Sequence, residues 1–242
     1  MRTEVEIVVD AGRSPRLRAT GGLAVRQTGV SSAHLIGTAA TPLGGDHIEV
    51  VIRVGAGAVL DLGSVAATIA LPAADRPDST AHWHIEVGAG ARLRVDPQPT
   101  VVAGGAHHRS DIDVVLDPDA TLDLHEHVQI GRSGNFADTD ADGRWQGGLR
   151  VDLPGLPVLR HRVALGARTA GTVAGAAQRS GLSAVSSVFR YPDARAADVD
   201  AVHYAARLTL PGDATLTTAL AGSVAQARAL CDGLDVVALS HA

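Results

Sequence analysis

The sequence predicts a mainly β protein: a solenoid-like stack of strands with a helix near the C-terminus, organised as one domain over residues 1–242. Three observations lead there: alternating apolar positions interrupted by a short break recur along the chain, the breaks are built of turn-forming residues, and the apolar complement is almost wholly aliphatic. The first copy is Ile52-x-Val54, then Gly55-Ala56-Gly57-Ala58, then Leu60-x-Leu62. The second, 33 residues on, is Ile85-x-Val87, Gly88-Ala89-Gly90-Ala91, Leu93-x-Val95. The third, 29 residues further, is Val114-x-Leu116, Asp117-Pro118-Asp119-Ala120, Leu122-x-Leu124. Apolar residues two apart put one face of a strand against a core, and repeats of about 20–50 residues mark stacked units.

Each copy reads as a strand pair joined by a tight reversal. Gly-Ala-Gly-Ala lets a glycine take positive φ, whereas Asp117-Pro118-Asp119-Ala120 suits a type I turn with proline second. Weaker echoes stand at Val151-x-Leu153 with Pro154-Gly155, and at Leu208-x-Leu210 with Pro211-Gly212-Asp213-Ala214 before Leu216. With two Trp, two Tyr and two Phe, the interior must be filled by Val, Leu, Ile and Ala, small enough for layers to approach closely. Leu220, Val224, Ala227, Leu230 and Cys231 form a helical stripe, which predicts a helix over 217–234 with Gly233 at its C-terminal cap. Residues 167–188 carry no clear period and are open between strand and loop. Residues 138–144 read as a surface loop.

Composition closes several functional classes. All 21 basic residues are arginine, so a P-loop lysine, a kinase-type phosphate lysine and a Schiff base are excluded. The net charge of −5 argues against nucleic acid as a partner. A single cysteine, Cys231, forms neither an internal disulfide nor a cysteine-based zinc site. No apolar run approaches the ~18–20 residues of a membrane span, and the first ten positions lack a secretory signal, so no membrane association and a cytoplasmic location are expected.

Histidine is the prominent chemical resource, with 11 in the chain and clusters at His82/His84, His107/His108 and His125/His127. A His-x-His pair on a strand projects both rings from one face and suits Zn²⁺ or Ni²⁺, or simply lies on a polar surface. No carboxylate follows His125-Glu126-His127 at the spacing of a cupin-like metal site. Asp138-x-Asp140-x-Asp142-Gly143 begins like an EF-hand loop, but Leu149 stands where the last ligand belongs. Ser64 lacks the second glycine of a nucleophile elbow. No catalytic constellation emerges, and the expectation is a protein that is not an enzyme.

Two segments are more specific: Pro42-Leu43-Gly44-Gly45-Asp46 before the first copy, and Pro97-Gln98-Pro99-Thr100 after the second. Together with Ala66-Ala67-Thr68, Gly105-Ala106, and Glu126 ahead of Gly131-Arg132, they follow one another in an order that resembles the UreD (UreH) family of urease accessory proteins. The resemblance covers roughly residues 23–132. It departs at Ile69-Ala70-Leu71, where the family usually has a lysine and an aromatic, and at Gly134-Asn135, where Gly-Glu is usual.

The resemblance implies a β-rich helicoid with a pair of helices. It also implies a scaffold and metallochaperone that binds apo-urease, recruits a UreF-type protein and through it a UreG-type GTPase, and assists nickel insertion. No cofactor is expected to be tightly held; nickel is bound transiently. On this reading Asp46 and Glu126 face an internal polar passage, with His84, His125 and His127 as further nickel contacts. The competing roles for the two acids are structural: Asp46 capping the Gly44-Gly45 turn and Glu126 pairing with Arg132. A competing function is a β-solenoid metal enzyme built on the histidine clusters.

Overall fold

The computed structural model describes residues 1–131, 143–166 and 181–237 and is mainly β, a solenoid-like stack of about three turns. Strands β1 (Arg2–Val9) and β2 (Arg16–Thr20) form an antiparallel hairpin at the edge of a seven-stranded sheet. The β3 (Leu23–Gln27) and β4 (Ser32–Gly37) hairpin closes one edge of an eleven-stranded sheet. The repeats follow. The first coil is β5 (His47–Val54), β6 (Val59–Ser64) and β7 (Thr68–Ala70). The second is β8 (Asp78–Val87), β9 (Arg92–Asp96) and β10 (Thr100–Val102), and the third β11 (His107–Leu116) and the long β12 (Thr121–Ile130).

Equivalent strands stack in parallel, like on like. Ile52 lies beside Ile85 and Ile85 beside Val114 in the first sheet, while Leu60, Leu93 and Leu122 align in the second. Strands β7, β10 and the end of β12 make a short third side. Inward residues of both large sheets meet in a largely aliphatic core, the larger of two clusters in the interior.

The breaks are corners rather than the reversals expected. β5 pairs with β1 and β8, while β6 pairs with β4 and β9, so the chain leaves one sheet and enters the other at Gly55-Ala56-Gly57-Ala58. Lateral pairing with the next copy satisfies the backbone of both strands, which a lone hairpin leaves half unpaired. The corners stack too: the Gly57 N–H donates to the Ala89 carbonyl at 2.9 Å, and that of Gly90 to Asp119 at 3.2 Å. Gly57 and Gly90 adopt φ of +67° and +64°, which only glycine takes without strain.

After the third coil, β13 (Arg144–Leu153) and β14 (Leu156–Gly166) extend the seven-stranded sheet as a hairpin through Pro154-Gly155. β15 (Ala184–Tyr191) pairs antiparallel with β12. β16 (Asp198–Asp200), β17 (Ala205–Leu210) and β18 (Ala214–Ala221) complete the other sheet, with the second expected hairpin at Pro211-Gly212-Asp213. Helix α1 (Val224–Val237) packs on the outer face of β15, β17 and β18.

The helix starts later than its stripe predicted. Residues 217–221 belong to β18, where Thr217 and Thr218 favour strand and the backbone is claimed on both sides by β15 and β17. Ser223 caps the helix, its Oγ accepting from the Gln226 N–H at 3.3 Å. Gly233 lies inside α1 rather than at its cap. A second helix is not found among the described residues. Arg132, Gly134-Asn135, the loop at 138–142 and the open stretch at 167–180 lie outside them. Among the described residues, no helix is long and apolar enough to cross a membrane.

Candidate functional site

The interior holds two separate aliphatic clusters that share the space between the sheets. What separates them is polar. Ala106, just before β11, belongs to the smaller cluster and Ile112 on β11 to the larger, and the inward positions between them are His108 and Ser110. On β12, Glu126 stands between Leu124 and Val128; on β15, Ser187 stands between Phe189 and Val185. On β13 the position is Gly147, between Leu149 and Trp145, and on β14 it is His161, between Leu159 and Leu165. Glu126, Gly147, His161 and Ser187 border a cavity of about 10 Å³, room for about one water.

This seam runs on toward Asp46. Ser79 is the register partner of His108, and its Oγ lies 2.9 Å from His108 Nδ1. Continuing the β5–β8 register by one residue sets the buried Asp46 beside Ser79. Asp46 and Glu126 therefore lie along one polar line: Asp46, Ser79, His108, Ser110, Glu126.

The two acids differ in electrostatics. Burial pushes the Glu126 carboxyl up to about 8; a Ser110 hydrogen bond opposes this and the Asp111 charge adds to it, so Glu126 is protonated at neutral pH. For Asp46, burial also works against the charge, but the Met1 amino group, the Leu43 N–H and the Thr41 hydroxyl outweigh it and hold the pKa below the usual carboxylate range. The Thr41 and Leu43 donors each lie 2.9 Å from Oδ2. Asp46 thus does cap the Gly44-Gly45 turn.

That turn explains its own glycines. Gly45 has φ +88°, and a Cβ on Gly44 would meet the Arg76 carbonyl at 1.7 Å. Gly44→Ala is expected to destabilise the fold by about 1–3 kcal/mol through overpacking, measured by urea denaturation; a loss below a few tenths would show that the turn yields.

Burial lowers His108 to about 4, so it is neutral at pH 7. With the folded pKa below the unfolded value, the unfolded chain binds more protons between pH 6.5 and 4, and stability falls as pH drops through that window. His108→Gln is expected to remove about 2 kcal/mol of the stability difference between pH 7 and pH 5. An unchanged difference would place His108 in contact with water.

His84, His125 and His127 are not in the seam. Side chains alternate along a strand, so His125 and His127 face away from Glu126, toward α1. His127 is buried there, with Nδ1 2.9 Å from Ser186 Oγ. His84 lies on the outer face of the seven-stranded sheet with His82 and Asp113, and His82 Nε2 is 2.7 Å from Asp113 Oδ2. Sequence reasoning missed Ser79, Ser110, His161, Ser187 and Asp96 as members of these groups; their parity relative to the apolar residues of their own strands was the signal that could have found them.

The family described as UreD urease accessory protein matches residues 10–238. A protein of Parafrankia sp. named urease accessory protein UreD is 37 % identical over 77 % of this chain and 70 % of its own length. Proteins of the same name from Frankia alni and Streptomyces avermitilis are 36 % and 34 % identical, covering 91 % and 90 % of this chain and 80 % and 88 % of their own. With a match across nearly the whole length, the seam and its capped Gly-Gly turn belong to a member of the UreD family of urease accessory proteins.

Proposed function

We propose that this chain serves urease maturation as a scaffold and metallochaperone, binding apo-urease and a UreF-type partner, recruiting a UreG-type GTPase through it, and assisting nickel insertion without catalysing a reaction itself. Family membership supports the urease role. The observation that carries the nickel reading is the polar line from Asp46 to Glu126 between two aliphatic clusters. A closed shell of strong ligands would retain an ion, whereas two hydroxyls, one imidazole, one neutral carboxylic acid and a carboxylate already held by its own donors are a sparse set from which it can leave. Neutral Glu126 is tolerated in an apolar surround, and a cation beside it favours the carboxylate.

The GTP chemistry then falls to a partner, in keeping with a chain that has no lysine. The assembly half of the proposal is tested by co-expressing the chain with urease subunits and UreF- and UreG-type proteins. A stable complex containing this chain and the UreF-type protein is expected. Elution of this chain alone, folded and monomeric, from a mixture in which urease is nevertheless activated would overturn it.

A further inference from the structure

On the outer face of the eleven-stranded sheet, beneath α1, a second set of donor atoms converges. We infer that Asp96, His125 and His127 form a site for one divalent transition ion, with Asp123 at its rim and Arg228 as the group an incoming ion displaces. Asp96, His125 and His127 each offer one ligand atom, and the three atoms lie within 4.8 Å of one another. His127 Nε2 and Asp96 Oδ1 are 3.5 Å apart, and His125 Nε2 lies 3.0 Å from Asp123 Oδ1. In a tetrahedral site with bonds of ~2.0–2.1 Å, ligand atoms stand roughly 3.3 Å apart. Small side-chain rotations close the trio on an ion.

The second observation is independent of spacing. Buried polar atoms in folded proteins find partners, and those that do not require an explanation. His125 Nε2, His127 Nε2 and Asp123 Oδ1 are all buried and make no well-aligned hydrogen bond among the described residues, only ion-pair contacts: His125 to Asp123 at 3.0 Å, His127 to Asp96 at 3.5 Å and Arg190 Nε to Asp123 at 3.2 Å. His127 is only 4 % exposed, so water does not readily serve it. Ser186 Oγ, 2.9 Å from His127 Nδ1, fixes the ring with Nε2 aimed into the cluster, as outer groups do behind metal-bound imidazoles. Two imidazoles and a carboxylate select a borderline ion such as Zn²⁺ or Ni²⁺ over Ca²⁺ or Mg²⁺, which take oxygen sets.

Arg228 couples this site to the helix. Its Nη2 lies 3.4 Å from Asp96 Oδ1, and α1 is also held at its start by Gln129 Oε1, which accepts from the Val224 N–H at 2.9 Å. A guanidinium and a divalent ion repel one another at a shared oxygen, so loading the ion releases Arg228 and loosens the first turns of α1 from the sheet.

The site does not depend on the nickel-delivery reading, because its test measures ion binding by the isolated chain and no urease activity enters. Untagged full-length chain carrying His82→Ala and His84→Ala, which breaks up the half-buried trio on the other sheet, is titrated with Zn²⁺ alone and the bound ion examined by X-ray absorption. Imidazole scattering from the bound ion is expected. Adding His127→Gln is expected to weaken binding at least about tenfold. Arg228→Gln, a change at a partly exposed residue that keeps the ligands, is expected to tighten binding severalfold and to keep the proposal testable if the buried variant does not fold. Absence of imidazole from the ion's ligands, or unchanged binding by folded His127→Gln, overturns the site; unchanged affinity in Arg228→Gln overturns the displacement.

Discussion

Glu126→Gln is expected to stabilise the protein increasingly as pH rises. The folded-state pKa of Glu126 is raised from its ordinary 4.5 to about 8, chiefly by burial. Between those values the folded chain binds the extra proton, so the stability associated with the protonated acid is present below pH 4.5 and is lost as pH rises through 8. From pH 5 to pH 8 the loss amounts to about 3–4 kcal/mol. Glutamine keeps the shape and a neutral polar head without a titrating proton. The variant should therefore match the wild type near pH 5 and exceed it by about 2–4 kcal/mol at pH 8. Urea denaturation of both proteins at the two pH values gives the double difference. If wild type and variant keep a constant gap across that range, Glu126 is solvated rather than sealed between the clusters.

Arg207→Ala is expected to be the most damaging single truncation outside the aliphatic core, at about 3–5 kcal/mol. Arg207 is 3 % exposed, and its guanidinium donates to the Leu234 carbonyl in the last turn of α1 at 2.7 Å and to the Ala196 carbonyl at 2.8 Å. Asp198 and Asp235 lie 3.9 Å from it. Removing the cation leaves two carbonyls without their donor and takes a nearby positive charge from Asp198 and Asp235. It also takes a positive charge from the C-terminal end of a helix that has no basic residue in its last turn. Because α1 is also tied by Asp235 to Arg190 and Arg195, at 2.8 and 2.7 Å, the helix should loosen rather than vanish. Faster amide exchange across residues 230–237 would accompany the loss of stability. A cost below 1 kcal/mol, with exchange unchanged, would show that the Arg190 and Arg195 pairs alone seat the helix.

The repeats were legible because period-two alternation survives in the primary sequence: Ile52, Ile85 and Val114 occupy equivalent rungs, as their spacing implied. The corners were not, since Gly-Ala-Gly-Ala satisfies a hairpin turn and a passage between sheets equally well, and only the lateral partners distinguish them. The helix boundary failed for a related reason. Leu220 fits the helical stripe but is also a strand residue, paired with Val185, and tertiary pairing outweighed periodicity. At the site, Asp46 and Glu126 were singled out through short motifs, and the structure puts the Asp46 carboxylate on the Leu43 N–H at the Gly44-Gly45 turn. Grouping His125 and His127 with Glu126 set aside the alternation of the strand that carries them; adjacent residues on β12 cannot share a face. Ser79, Ser110 and Ser187 carried only the parity of their strands as a signal, because a serine on a strand is unremarkable until its neighbours on both sides are seen to belong to different clusters.

The most direct test of the central claim is nickel-dependent activation of apo-urease by the complete accessory complex, with wild type, Glu126→Gln and His84→Ala compared at equal, stoichiometric loading. If nickel passes along the seam, Glu126→Gln should assemble normally yet lower activation by about tenfold, the lower end of the loss seen when a group supporting a metal site is removed, while His84→Ala, on the outer face, should activate like the wild type. Full activation by Glu126→Gln within an intact complex would contradict a nickel path between the sheets.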